Sequence, residues 1–365
     1  MTSKINRRGF TLVEMMVAVA VGAICVVVAA KVGVNIVRLN SRAREVNDSL
    51  VRTRLITRQL RDDIRMAGYG TTGAIGVDVG NAAWAGLSVV TPVGGFNAIP
   101  AIYGFNNPAG PDAIQMVVPD PRSSLPTLAA HNQGGVAVGL PPLACPNNVA
   151  LIIDHSAPAG GRTQIIQLAG TNSVDALQFN VAVGSEVMCA RISTYWVDNA
   201  GPTPLLRRSD LNPAAPGALV AGFPATFRVP AVGGGVDVVG PGIVDLQIAY
   251  QVTTEAYNMA GVGVAGASFW AFDGRPGDFG ASMGTAGAAK ARWFEVRNVR
   301  ANLLARAMNK GPGGTNKQAV AVEDGPVPPG VNLTTSMQWI SAGESPINLR
   351  YFDMGAPANA PAEPY

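Results

Sequence analysis

No proline occurs between Phe10 and Ala67. That absence, over a stretch that opens apolar and turns amphipathic, constrains this chain more than any other feature. Phe10 to Val37 runs 28 residues with charge only at Glu14 and Lys31. About 20 apolar residues span a bilayer, so this run is long enough. Lys31 can reach an interface on its apolar stem. A secretory signal peptide would have a shorter apolar core and a small-residue cleavage site behind it; Ala29-Ala30 offers such a site. The run instead continues into helix-like sequence, which favours a retained anchor. Glu14 is the anomaly: a charge in hydrocarbon costs about 2.5–3.5 kcal/mol on insertion scales, so it implies a function and a partner.

Past the apolar run, Leu39, Ala43, Val46, Leu50, Thr53, Thr57, Leu60, Ile64 and Ala67 recur at alternating steps of four and three. Such spacing keeps one helical face apolar. Its admixture of Thr and Ala suits packing on a globular domain better than a coiled coil. A helix from Phe10 to Ala67 would be roughly 85 Å long at 1.5 Å per residue. Gly68-Tyr69-Gly70 supplies its stop signal. Lys4, Arg7 and Arg8 precede the span and Arg38, Arg42 and Arg44 follow it, so loop charge alone leaves its orientation open. Residues 1–67 carry net +7 and the remainder −4. A basic stem permits nucleic-acid binding. Juxtamembrane cations facing lipid headgroups are the plainer account, and no nucleic-acid partner is expected.

From residue 71 onward, short runs rich in β-branched residues alternate with Gly, Pro and Asn. The pattern predicts strands over Ala113–Val118, Val149–Ile153, Thr163–Leu168, Ala176–Val183, Val187–Val197, Ile243–Val252 and Arg297–Ala305. No strand–helix alternation is visible, so the fold class expected is α+β, a long N-terminal helix on a mostly antiparallel sheet domain. The Pro/Ala-rich end, 357–365, reads as a flexible tail. Cys25 lies in the span and reads as a small apolar residue. Cys145 and Cys189 are a natural pair if the domain is exported, the alternative being two buried thiols. A bond closing that loop would stabilise by roughly 4 kcal/mol in the chain-entropy model.

Motifs for chemistry are weak. Gly280-Ala281-Ser282-Met283-Gly284 has the letters of a nucleophile elbow but no histidine downstream. Gly261-Val262-Gly263-Val264-Ala265-Gly266 lacks a strand–turn–helix context for a dinucleotide. Asp154, His155 and Ser156 are consecutive, and since neighbours on a strand point to opposite faces the three would not all converge. With two histidines in total, a His-rich metal site is excluded. A non-enzymatic protein with no catalytic residues, no metal and no cofactor is expected.

The leader Arg8-Gly9-Phe10-Thr11-Leu12-Val13-Glu14 resembles the class III signal of type IV pilins and type II secretion pseudopilins. The resemblance implies cleavage between Gly9 and Phe10 by prepilin peptidase at the cytoplasmic face, after the leader charges Lys4, Arg7 and Arg8. It implies N-methylation of Phe10, and pairing of Glu14 with the N-terminus of a neighbouring subunit to set assembly register. It also settles orientation, with the leader inside and the domain outside. The corresponding layout is a cleaved leader (1–9), a transmembrane helix half (10–37), an amphipathic half with its junction (38–70), a β-rich periplasmic domain (71–356) and the tail. Within the superfamily, Arg58 to Gly70, Asp245 to Tyr250 and Val296 to Arg306 resemble segments of the PilW-type minor pilins, and Ile347-Asn348-Leu349-Arg350 echoes their C-terminal strand loosely. That resemblance implies inner-membrane residence, then incorporation into a surface pilus of a Gram-negative bacterium. The partners implied are other minor pilins, the major pilin and a tip adhesin. A J-type minor pseudopilin and a signal-anchored periplasmic enzyme or binding protein are the alternatives.

Overall fold

The computed structural model describes residues 11–71, 74–84, 87, 97–105, 111–156, 162–199, 201, 203–212, 236–253, 268–271, 296–306 and 337–344. A single helix, α1, runs Leu12–Met66. It stops where the glycines predict: Gly68 and Gly70 take left-handed φ of 67° and 72°, and the Gly68 amide donates to the Val117 carbonyl. The chain divides into two compact units, residues 1–50 and 51–365. In the first, the described side chains are exposed from end to end, among them Leu39 and Ala43, the first two positions of the amphipathic stripe.

In the second unit the stripe behaves as its spacing predicts. Of its positions Thr53, Thr57, Leu60, Ile64 and Ala67 are buried, and Ile56 and Asp63, which the spacing left out, are buried beside them; the side chains of Val46 and Leu50 lie outside the described residues. The strands are numbered here in chain order: β1 Ala74–Gly76, β2 Ala98–Pro100, β3 Ile102–Phe105, β4 Ala113–Pro119, β5 Leu125–Pro126, β6 Val149–Asp154, β7 Arg162–Ala169 and β8 Asn172–Ser173. Then follow β9 Glu186–Asp198, β10 Leu205–Asp210, β11 Val236–Pro241, β12 Ile243–Thr253, β13 Ser268–Ala271, β14 Val296–Arg306 and β15 Met337–Glu344. The larger sheet has the order β11-β10-β9-β6-β7-β1-β2, with β4 and β5 also on the long strand β9, β3 on β4 and β8 on β7. The smaller sheet runs β13-β12-β14-β15. Among the described strands only β1 and β7 pair in parallel, at Gly76 opposite Gln164. The class is therefore α+β with a mostly antiparallel domain.

Three apolar clusters form the core. One joins Ile56, Leu60, Ile64 and Ala67 of α1 to β4, β9, β12 and β14. A second lies around Trp84 and Leu151, and a third around Phe179 and the two cysteines. Helix and sheet approach closely at Gly240: a Cβ there would sit 2.0 Å from Ile56 Cδ1, so any side chain would have to displace Ile56.

Ala176–Val183 does not form the predicted strand. Its alternation is real, since Leu177, Phe179 and Val181 point into the core. Its neighbour is the Thr127–Leu140 segment, in which Gly134 and Gly139 take positive φ. Only isolated bridges form, His131 with Val181 and Val136 with Ala176. Cys145 and Cys189 are bonded, in the third cluster beside Ala150 and Phe179. Cys25 is free and exposed within the apolar helix.

Candidate assembly site

The first described residues form a reciprocal cap. The Thr11 amide and hydroxyl both donate to Glu14 Oε2, at 2.9 and 3.1 Å, and the Glu14 amide donates to Thr11 Oγ1 at 3.3 Å. This is a capping box: the residue before a helix and the one three positions on satisfy each other's orphan amides. It stands at the start of Leu12–Ser41, a stretch of 30 residues long and apolar enough to cross a membrane. Glu14 therefore has a local role that its charge alone does not disclose: it starts the helix. The pattern Thr-x-x-Glu was present in the sequence to be read as a cap. Both Thr11 bonds converge on Oε2, which leaves Oε1 without a bond from the cap. Gly9, Phe10, Lys4, Arg7 and Arg8 lie outside the described residues.

At the other end of α1 a buried ionic cluster ties the helix to the larger sheet. Asp63, 7% exposed at its side chain, accepts from Arg191 Nη2 at 2.5 Å and from the Tyr195 hydroxyl at 2.6 Å. Arg208 Nη1 lies 4.0 Å from its second oxygen. Arg208 also holds Asp210 at 2.7 Å, and Asp210 accepts from Ser193 at 2.6 Å. Burial drives the Tyr195 pKa up, and the adjacent Asp63 carboxylate drives it further, so the phenol remains a donor. Burial opposes the charge on Arg208, but Asp210 and Asp63 outweigh it. Burying two charges is costly unless every partner is met, and here the cluster meets them from α1, β9 and β10. Sequence reading passed over it, because Asp63 sits inside an otherwise apolar stripe and its partners lie far along the chain.

The residues considered for catalysis do not converge. The Ser156 hydroxyl donates to Asp154 at 2.6 Å, while His155 Nε2 pairs with Glu186 at 3.1 Å. A serine nucleophile needs its hydroxyl against the histidine. The glycine-rich segments at 261–266 and 280–284, Ile347 to Arg350 and the tail 357–365 lie outside the described residues. No group of three or more His, Cys, Asp or Glu with metal-binding geometry occurs among the described residues.

Residues 4–30 match the family model described as the prokaryotic N-terminal methylation motif. The chain begins as a type IV pilin-like protein does. The match covers the leader from Lys4 and about two-thirds of the apolar stretch Leu12–Ser41; comparison with curated proteins and with solved structures gives no match for the chain. The motif supports a pilin or pseudopilin processed by prepilin peptidase and assembled with other pilins. Together with the apolar helix it fits an inner-membrane anchor carrying a periplasmic domain, a compartment in which the Cys145–Cys189 bond persists.

Proposed function

We propose that this chain is a minor pilin of the PilW group. Prepilin peptidase cuts it between Gly9 and Phe10 and methylates Phe10; the mature subunit waits in the inner membrane and joins other minor pilins in a complex that initiates pilus assembly. That complex sits at the pilus tip and holds an adhesin. The protein is structural and not an enzyme. The observation that carries the proposal is the match over residues 4–30, which runs into a 55-residue helix whose far end is built into a β-rich domain. Assembly register comes from Glu14. The capping box engages Oε2 of its carboxylate, and the Phe10 ammonium of the neighbouring subunit supplies the missing opposite charge.

A J-type minor pseudopilin of a type II secretion system shares the leader and the helix, and it is the alternative within the same class. Mass spectrometry of the N-terminus in the host, with and without the peptidase, tests the proposal. The expected chain starts at N-methylated Phe10 and reverts to Met1 without the enzyme. A chain that starts at Met1 in the normal host would sink pilin-type processing and favour a signal-anchored enzyme or binding protein. Deletion then separates pilus from secretion: loss of surface pili supports the minor pilin, and loss of protein secretion with pili intact supports the pseudopilin.

A further inference from the structure

We propose that the outward face of α1 between Val51 and Met66 docks against an acidic protein surface on a neighbouring subunit. The inference rests on the chain being part of a pilin-type assembly, and it names the chemistry of a contact that the leader motif does not describe. Arg54, Arg58, Arg61 and Arg65 follow at steps of four, three and four, which places their side chains next to one another along one face. All four residues are exposed, and the Arg58 side chain is 80% so. Flanking this ridge on the same outward side are Val51 and Leu55, 48% and 63% exposed. The buried stripe Thr53, Ile56, Leu60 and Ile64 lies opposite.

The fold accounts for only part of this ridge, and least for Arg54 and Arg58. Neighbouring like charges on a helix repel. A cation in the last turn complements the helix dipole, which accounts for Arg65 but not for Arg54 or Arg58, more than two turns upstream. Arg58 has an acid four residues on, Asp62, at 4.0 Å with both side chains exposed, a pairing that solvent screens almost completely.

The shape of the face selects the partner. Guanidinium groups suit carboxylates, which they grip through two hydrogen bonds. The exposed Val51 and Leu55 would be covered best by apolar surface beside those carboxylates. A protein interface offers both, an apolar centre with a polar rim, and arginine is enriched there. A nucleic-acid backbone offers phosphates and nothing to cover the aliphatics. Val51 lies ten residues beyond Ser41, the end of the candidate span. Residues 68–365 carry net −4, so a subunit built like this one presents the complementary sign.

The test uses the full-length chain in its host. Arg54→Lys, Arg58→Lys and Arg65→Lys keep the charge and supply amines for a zero-length carbodiimide cross-linker. The expected result is an amide bond from these lysines to an aspartate or glutamate of a second pilin-type subunit, identified by mass spectrometry. The charge reversal Arg54→Glu, Arg58→Glu, Arg65→Glu should lower co-purified partner roughly ten-fold or more, as reversed interface charges do. The exposed positions leave the fold intact, which an unchanged melting midpoint will show. Cross-links confined to the chain itself, or a reversal that leaves partner recovery unchanged, would overturn the proposal. So would ridge-dependent binding of a 30-base-pair duplex by the full chain in detergent, which would reassign the face to nucleic acid. The N-terminal mass separates the failures: a Phe10 start without a cross-link defeats this surface alone, while a Met1 start defeats the processing on which it rests.

Discussion

Residues Leu12–Ser41 and Val51–Met66 belong to one helix, and their side chains meet opposite fates. In the first stretch Val13, Met16, Val26 and Val37 are all more than two-thirds exposed or close to it. In the second, one face is buried to within a few per cent and the other carries arginines. The N-terminal stretch is apolar all round, the property of a helix whose partners lie outside its own chain. The C-terminal stretch is apolar on one side, because its partner is the sheet that the same chain supplies. One helix thus joins a stretch suited to a membrane or to other subunits to a stretch fastened within its own chain. Mutations in the two stretches should separate assembly from stability.

The largest expected effect tests the intramolecular end. Asp63→Ala leaves Arg191 without its carboxylate and the buried Tyr195 hydroxyl without its acceptor. Removing one partner of a buried pair costs about 3–5 kcal/mol, and the partial exposure of Arg191 places this case near the lower figure. Denaturant unfolding of the full chain in detergent measures it. A loss under about 1 kcal/mol, the range of surface ion pairs, would show that the cluster does not fasten α1 to the sheet.

A matched pair sharpens the contrast. Leu60→Ala removes a side chain with no exposure, at a cost of about 2–5 kcal/mol. Val27→Ala removes a comparable apolar group from the exposed stretch, and the unfolding midpoint of the β domain should stay within about 0.5 kcal/mol of wild type. Equal losses at both positions would abolish the distinction between the two stretches.

The two regions were also legible in the sequence to different degrees. The proline-free apolar run and the glycine stop located α1 within two residues of its observed ends, and the spacing of its second half identified Thr53, Thr57, Leu60, Ile64 and Ala67 as its inward face. Strands with strong β-branched runs, such as Val187–Val197, Ile243–Val252 and Arg297–Ala305, came within a residue or two of their true limits. The short strands at Ala74, Ala98 and Leu205 were missed, since three to six residues give periodicity little to act on. Ala176–Val183 had the right alternation without a ladder partner, a fact held by the glycines of another segment. Buried polar groups were the least legible. Asp63 and Asp245 become intelligible only when residues far along the chain, or the depth of the sheet, are known.

Asp245 offers a test through pH. It is fully buried in β12; one oxygen accepts from the Leu246 amide and Gln247 Nε2, and the other has no partner. Burial raises its pKa from 3.8 to about 6. Below pH 4 the group is protonated whether the chain is folded or not. Between pH 4 and 6 the unfolded chain loses the proton while the folded chain retains it, so the group's contribution to stability falls as pH rises. The shift corresponds to about 3 kcal/mol across that window. Asp245→Asn has no such proton to lose. Its stability relative to wild type should therefore rise by about that amount from pH 4 to pH 7 and then level off. Melting curves at both pH values check the difference, whatever constant offset the amide introduces. A flat difference would mean that the carboxylate is solvated or paired in the folded protein.

The smallest effect returns to the start of the helix, where cap and charge are confounded in one residue. Thr11→Val removes the hydroxyl that both donates to Glu14 and accepts its amide, while Glu14 and the backbone bond remain. Loss of a threonine cap costs about 1 kcal/mol of helix stability. If Glu14 needs only its charge to meet the next subunit, assembly should survive this change at a modestly reduced level. If the capping box fixes the carboxylate direction on which the intermolecular pair depends, Thr11→Val should impair assembly almost as severely as Glu14→Leu, with domain melting unaffected in both. Thr11→Ser keeps the hydroxyl and should restore wild-type assembly in the second case. The amount of chain recovered in sheared filaments, beside the amount in the inner membrane, distinguishes these outcomes and shows whether Glu14, like Asp63 at the other end of α1, depends on a hydroxyl of its own chain as well as on a cation.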